Sequence, residues 1–88
     1  MVIAYNNLGD ALYMTNQIDK AINCYKTVID LDPKSSNAHN NLGTAFKLKN
    51  NLDQARKCYL TAIELNPRNN IAFNNLAGVY HTLKQTES

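Results

Sequence analysis

The sequence predicts an all-α solenoid of five helices stacked as antiparallel pairs, and three observations carry that prediction. The phrase Ala4-Tyr5-Asn6-Asn7-Leu8-Gly9 returns 34 residues later as Ala38-His39-Asn40-Asn41-Leu42-Gly43, and again as Ala72-Phe73-Asn74-Asn75-Leu76-Ala77. The first two copies also share Asn16/Asn50, Asp19/Asp53, Ala21/Ala55, Cys24/Cys58, Tyr25/Tyr59 and Pro33/Pro67 at that offset, which makes this an internal repeat. Within each copy the apolar residues recur at helical spacing, and the breakers Asn16, Pro33, Asn50 and Pro67 fall between the runs.

The first helix covers Val2 to Met14, with Tyr5, Leu8 and Leu12 on one stripe and the small residues Ala4, Gly9 and Ala11 beside them. Asn16 closes it, because asparagine tolerates the left-handed conformation that a helix end requires. Ile18, Ala21, Ile22, Tyr25, Val28 and Ile29 mark the second helix, with Asp19 in its first turn where a carboxylate suits the helix dipole. Pro33 stops it by pushing the preceding residue out of helical geometry. Ser35 or Ser36 caps the third helix, whose stripe is Leu42, Ala45, Phe46 and Leu48, and Asn50 repeats the turn of Asn16. The fourth carries Leu52, Ala55, Tyr59, Ala62, Ile63 and Leu65 up to Pro67. Asn69 or Asn70 caps the fifth, which bears Phe73, Leu76, Val79, Tyr80 and Leu83 and is expected to give way at Lys84, where a turn would follow. The domain organisation is one array: repeat one over residues 2–35, repeat two over 36–69, and a partial third, first helix only, over 70–88.

Composition narrows the function. With 44% hydrophobic and 18% charged residues and a net charge of +2, the 88-residue chain has the balance of a soluble globular domain rather than a disordered one. Lys20, Lys26, Lys47, Lys57 and Arg68 alternate with Asp19, Asp30, Asp53 and Glu64, so no basic patch points to nucleic acid or a membrane surface. The two cysteines occupy equivalent places and have no metal-ligand or redox spacing, which suits reduced thiols. With no signal segment or membrane span in the sequence, an intracellular, cytoplasmic setting is expected, the nucleus included.

These residues resemble the tetratricopeptide repeat, a 34-residue helical hairpin with an aromatic-x2-Leu-Gly-x2-aromatic phrase followed by Ala, an aromatic and Pro. Unit one supplies Tyr5, Leu8, Gly9, Ala21, Tyr25 and Pro33, unit two His39, Leu42, Gly43, Phe46, Ala55, Tyr59 and Pro67, and unit three Phe73, Leu76, Ala77 and Tyr80. The resemblance implies a right-handed superhelix whose first helices line a concave face. Gly9, Gly43 and Ala77 are expected to face Ala21 and Ala55, where small residues allow helices to approach to roughly 8 Å. Tyr25 and Tyr59 are expected to fill the space between neighbouring pairs, with the hydroxyl at the edge.

On the implied concave face stand Asn6, Asn7, Asp10 and Tyr13, then Asn40, Asn41, Thr44 and Lys47, then Asn74, Asn75 and His81. Asparagine is a poor helix-interior residue, so three Asn-Asn pairs need a reason. One is that the amides bond between neighbouring helices and set the stacking. The other is a ladder of donors and acceptors for the backbone of an extended peptide. Helices about 10 Å apart meet such a chain every third residue, since a strand rises about 3.3 Å per residue. The ladder at Asn7, Asn41 and Asn75 is similar to the inner surface of O-GlcNAc transferase-like tetratricopeptide superhelices, which implies substrate held by its backbone. A second known use of the family, the carboxylate clamp for chaperone C-termini, would place Lys, Asn, Lys and Arg where Asn6, Asp10, Ile71 and Asn75 stand. Only Asn41 fits it, and Asp10 would repel a carboxylate.

The expected function is therefore non-catalytic: a protein-interaction module binding an extended peptide in the Asn-lined groove. No cofactor or metal is expected, because Cys24 and Cys58 lack a repeated His partner, His39 takes an aromatic's place and His81 lacks further ligands. The alternative is a structural module that self-associates or stacks end to end, possibly as a fragment of a longer array. Leu76, Val79, Tyr80 and Leu83 are the residues expected to form that homo-oligomeric contact, since no following helix would cover them.

Overall fold

Two asparagines reverse the chain where the sequence places its turns: Asn16 and Asn50 adopt φ of 64° and 62°, and no other non-glycine residue among those described has positive φ. The structure, a computed structural model, describes the backbone of residues 2–87 and the side chains of residues 8–84. It contains five helices, α1 (Val2–Met14), α2 (Ile18–Leu31), α3 (Ser36–Leu48), α4 (Leu52–Leu65) and α5 (Asn70–Glu87). Each packs on its neighbour in sequence, while α3 also touches α1 and α5, so the first helices of successive hairpins lie side by side. The result is an all-helical solenoid 43 × 29 × 17 Å in extent. No helix among the described residues is long and apolar enough to cross a membrane.

The ends of the elements follow from local chemistry. Ser35 caps α3, its hydroxyl accepting from the Ala38 amide at 3.2 Å, and Asn69 caps α5, its Oδ1 accepting from the Ala72 amide at 3.2 Å. Asp32 and Asn66, each ahead of a proline, leave helical geometry with ψ of 81° and 94° and end α2 and α4. The fifth helix departs from expectation. It does not give way at Lys84 but continues to Glu87. Lys84 holds the place of Asn16 and Asn50 and has no comparable tolerance for positive φ, so the helix runs on.

Two buried clusters form the core. One joins Ala21, Ile22 and Tyr25 of α2 to Leu42 and Ala45 of α3; the other joins Ala55 and Tyr59 of α4 to Leu76 and Val79 of α5. Phe46 packs against both. The tyrosines do fill these junctions, and their rings are the groups nearest to Gly9 and Gly43. A Cβ built on Gly9 would lie 2.6 Å from Cε1 of Tyr25, and one on Gly43 would lie 2.8 Å from Cε1 of Tyr59 and 3.1 Å from Cβ of Cys58. The glycines are thus seats for aromatic rings. The hydroxyls turn to the first helix of the same pair: Tyr25 donates to Asp10 Oδ1 at 2.5 Å, and the Tyr59 and Thr44 hydroxyls are 2.9 Å apart.

Glycine substitutions test this seating against helix propensity, which favours alanine over glycine by about 0.8–1.0 kcal/mol. At Gly78 the nearest group to a new Cβ is the Lys47 Nζ, 3.3 Å away at the end of a flexible stem. Gly78→Ala should therefore raise stability by up to about 1 kcal/mol. Gly43→Ala meets a buried ring and should lower stability, since overpacking costs about 1–3 kcal/mol. Urea unfolding of the two variants measures both; an equal gain in each would show that the ring does not press on Gly43.

The apolar row expected to be open on α5 is corrected by the same packing. Leu76 is 8% exposed and Val79 fully buried against α4, and Leu83 packs on the same cluster. Their spacing turns them, with Ala72, toward the preceding hairpin. Of the four residues only Tyr80 is exposed, at 49%.

Candidate functional site

The site candidates lie where α1, α3 and α5 adjoin, and the side chains divide into those aimed into the stack and those left at its surface. Asn40 is 7% exposed, and its Oδ1 accepts from Asn75 Nδ2 at 2.9 Å, linking α3 to α5. A buried amide oxygen left unpaired would cost about 1–3 kcal/mol, so this pair sets the register of adjacent helices. Asn75 remains half-buried, and Asn74 is exposed. The side chains of Asn6 and Asn7 lie outside the described residues.

Between α1 and α3 a pocket of about 140 Å³ is lined by Asp10, Tyr13, Tyr25, Asn41 and Thr44. It gathers four of the residues expected on the concave face. Among them, Asp10 receives the Tyr25 hydroxyl, and the Thr44 hydroxyl donates to the Asn40 carbonyl at 3.1 Å while pairing with Tyr59. The remaining candidates lie apart from this pocket. Lys47 reaches across to α5, close to Gly78, and His81 is exposed on α5.

Polar contacts that the sequence did not single out lie at the α3 end of the hairpin. Ser36 donates to the Ala62 carbonyl at 2.7 Å, and Asn69 Nδ2 donates to Ser36 Oγ at 2.9 Å. Ser36 and Asn69 are both buried, so this chain of bonds ties α3, α4 and α5 together. The signal was available in the paired cap residues Ser35-Ser36 and Asn69-Asn70: Ser35 caps and Ser36 links helices, while Asn69 does both. A larger opening of about 350 Å³ lies away from the candidate residues, between Lys26, Ile29, Asp30, His39, Leu42, Lys57, Cys58 and Thr61. There His39 Nε2 is 3.3 Å from the Pro33 carbonyl, and burial pushes the Cys58 thiol up to about 11, against the opposing pull of Lys26. That thiol is poorly suited to act as a nucleophile. Cys24 and Cys58 are both free, and no group of three or more His, Cys, Asp or Glu among the described residues is arranged to hold a metal ion.

Residues 9–50 match a family profile described as TPR repeat, and residues 36–69 match one described as tetratricopeptide repeat. Together the two matches span well over half of the chain. The chain belongs to the tetratricopeptide repeat family. The fold of this tetratricopeptide domain agrees with solved structures. The first TPR of Spaghetti (RPAP3), bound to the HSP90 peptide SRMEEVD, superposes with a TM-score of 0.92 at 21% identity, covering 98% of this chain and 70% of that one. The second TPR of Spaghetti, bound to the same peptide, gives 0.90 at 21% identity, covering 96% and 78%. The Arabidopsis OM64 TPR domain gives 0.89 at 22% identity, covering 98% and 71%. At these identities the likeness is one of fold. No curated protein is similar enough in sequence to count as a relative.

Proposed function

We propose that this tetratricopeptide domain is a non-catalytic protein-interaction module that holds an extended segment by its backbone along the face formed by α1, α3 and α5. The observation that carries this reading is the pocket where Asp10, Tyr13, Asn41 and Thr44 meet. Asn41 has its repeat counterparts in Asn7 and Asn75, so the same amide recurs along the array in the manner of O-GlcNAc transferase-like superhelices. An amide offers a donor and an acceptor together, which suits a peptide backbone better than a charged terminus. The RPAP3 domains that share the fold are bound to a peptide ending in acidic residues. This domain has Asn6, Ile71 and Asn75 where a clamp for such a tail would need cations, and Asp10 where it would need an amide, so a neutral segment is the better match.

This reading gives the two asparagines of the second repeat different tasks. Asn40 serves the stack and Asn41 the pocket, so the two should respond differently to substitution. Display selection with random peptides on the wild-type domain should enrich a family that binds in its interior. Asn41→Ala should weaken those peptides at least tenfold with helicity unchanged by circular dichroism, whereas SRMEEVD should bind neither form measurably. Enriched peptides that bind Asn41→Ala undiminished, or that require a free acidic C-terminus, would overturn the reading.

A further inference from the structure

Among the described helices, α3 alone lies between the second helices of two hairpins. Both α2 and α4 pack on it, but their backbones do not approach one another, so they form the walls of a slot with α3 as its floor. This is the opening of about 350 Å³ noted above, with Ile29 and Asp30 on one wall, Cys58 and Thr61 on the other, and His39 and Leu42 beneath. Its three helices all belong to the two repeats that are present in full, and any further repeat would stack beyond α1 or α5 rather than over it. We propose that this slot binds a small aromatic carboxylate, its ring over His39 and Leu42 and its anionic group between the ammonium groups of Lys26 and Lys57.

Room for a ring comes from a departure from the repeat. Where unit two has His39, units one and three have Tyr5 and Phe73, and an imidazole is smaller than either ring. The His39 Nε2 also lies 3.3 Å from the Pro33 carbonyl, which holds the imidazole toward the loop at one end of the slot. The side chains of Ile29 and Leu42 therefore line space that a larger ring at residue 39 would enter. A volume of about 350 Å³ lies at the lower end of the range for ligand sites, so the occupant has one or two rings and no more.

The preference for an anion comes from the lysines. The Lys26 ammonium lies 5.9 Å from the centroid of the Phe46 ring, one turn beyond Leu42 on α3, and it opposes the rise of the Cys58 thiol, which places its charge on the inner side of the slot. Lys57 lines the same opening from α4. The ion pairs among the described residues are Lys49–Asp19 and Arg56–Asp53, so both lysines are left without a carboxylate. Asp30, one turn beyond Lys26 on α2, is the only carboxylate on the lining and is paired with neither. Two ammonium groups beside an apolar floor suit a carboxylate carried on a ring, and Asp30 repels that carboxylate from the other end, which fixes the ligand's direction. The slot is separate from the Asn-lined pocket, and the inference does not rest on peptide binding there.

Two probes of similar shape test it: naphthoate and its uncharged counterpart naphthylmethanol, each titrated into the isotope-labelled 88-residue domain while amide chemical shifts are followed. Naphthoate should shift the amides of Leu42, Cys58 and Thr61 saturably and bind at least tenfold more tightly than naphthylmethanol. Lys26→Met/Lys57→Met keeps the aliphatic stems and should abolish that difference with helicity unchanged. His39→Phe restores the ring of the other units and should block both probes, again with circular dichroism confirming the fold. No saturable shift, equal affinity of the wild-type domain for the two probes, or undiminished binding to a folded His39→Phe would each overturn the proposal. Shifts confined to Asp10, Asn41 and Thr44 would also overturn it, since the anion would then occupy the other pocket.

Discussion

Tyr59→Ala is expected to remove most of the stability of the domain. Tyr59 is fully buried, among the largest side chains in the interior, and its ring lies between the Gly43 seat on one side and the second core cluster on the other. Truncating a buried aromatic costs about 3–5 kcal/mol, because the transfer energy is lost and the cavity collapses only in part. Small domains are stable by about 5–15 kcal/mol, and 88 residues place this one toward the lower end. Tyr59→Phe keeps the ring and gives up only the contact with the Thr44 hydroxyl, a loss of about 1 kcal/mol. Thr44 still has the Asn40 carbonyl as a partner. Tyr80→Ala, on the open face of α5, should fall within about 0.5 kcal/mol of wild type. Urea unfolding followed by circular dichroism orders the three; a Tyr59→Ala variant as stable as Tyr80→Ala would contradict the packing described above.

Alkali should unfold the domain cooperatively, and the sign follows from two buried phenols and a half-buried thiol. Burial, and then the hydrogen bond to the Asp10 carboxylate, raise the Tyr25 phenol well above its usual range. Burial also raises Tyr59, against a smaller opposing effect of the Thr44 hydrogen bond, and takes the Cys58 thiol from 9.0 to about 11. For each, the folded form keeps a proton that the unfolded chain releases, so stability is complete below the unfolded pKa and falls as pH rises toward the folded one. The window opens near pH 9 with the thiol and widens above pH 10 with the phenols. Far-ultraviolet circular dichroism and tyrosinate absorbance, recorded together, check this. Helicity should be lost in the same step in which Tyr25 and Tyr59 ionise. Ionisation of all tyrosines near pH 10 with helicity intact would show that neither ring is sequestered.

Features that depend on a few neighbouring residues were legible before the structure. The positive φ of Asn16 and Asn50, the caps at Ser35 and Asn69 and the stops before Pro33 and Pro67 each follow from the chemistry of one or two side chains. What the periodicity could not supply is the rotation of one helix against the next. That rotation decides that Gly43 meets the Tyr59 ring, and that Leu76 and Val79 turn toward α4. It also decides that Asn40 points into the stack and Asn41 into the pocket, although both are asparagines in one repeated phrase. The length of α5 was readable in principle, since Lys84 stands where each earlier unit has asparagine; the missing turn signal was there, and the repeat length alone hid it.

Phe46 belongs to both core clusters, and this bears on how the array responds to stress. In a solenoid whose units share little, each hairpin could open while its neighbour stays shut, as beads on a string would. Here one ring serves as packing material for both junctions, so loosening either end withdraws support from the other. The helix that carries it, α3, also contacts all four other helices. The domain is thus built as a single spring wound about one central coil, and a pull at either end is felt at α3 before any hairpin can separate.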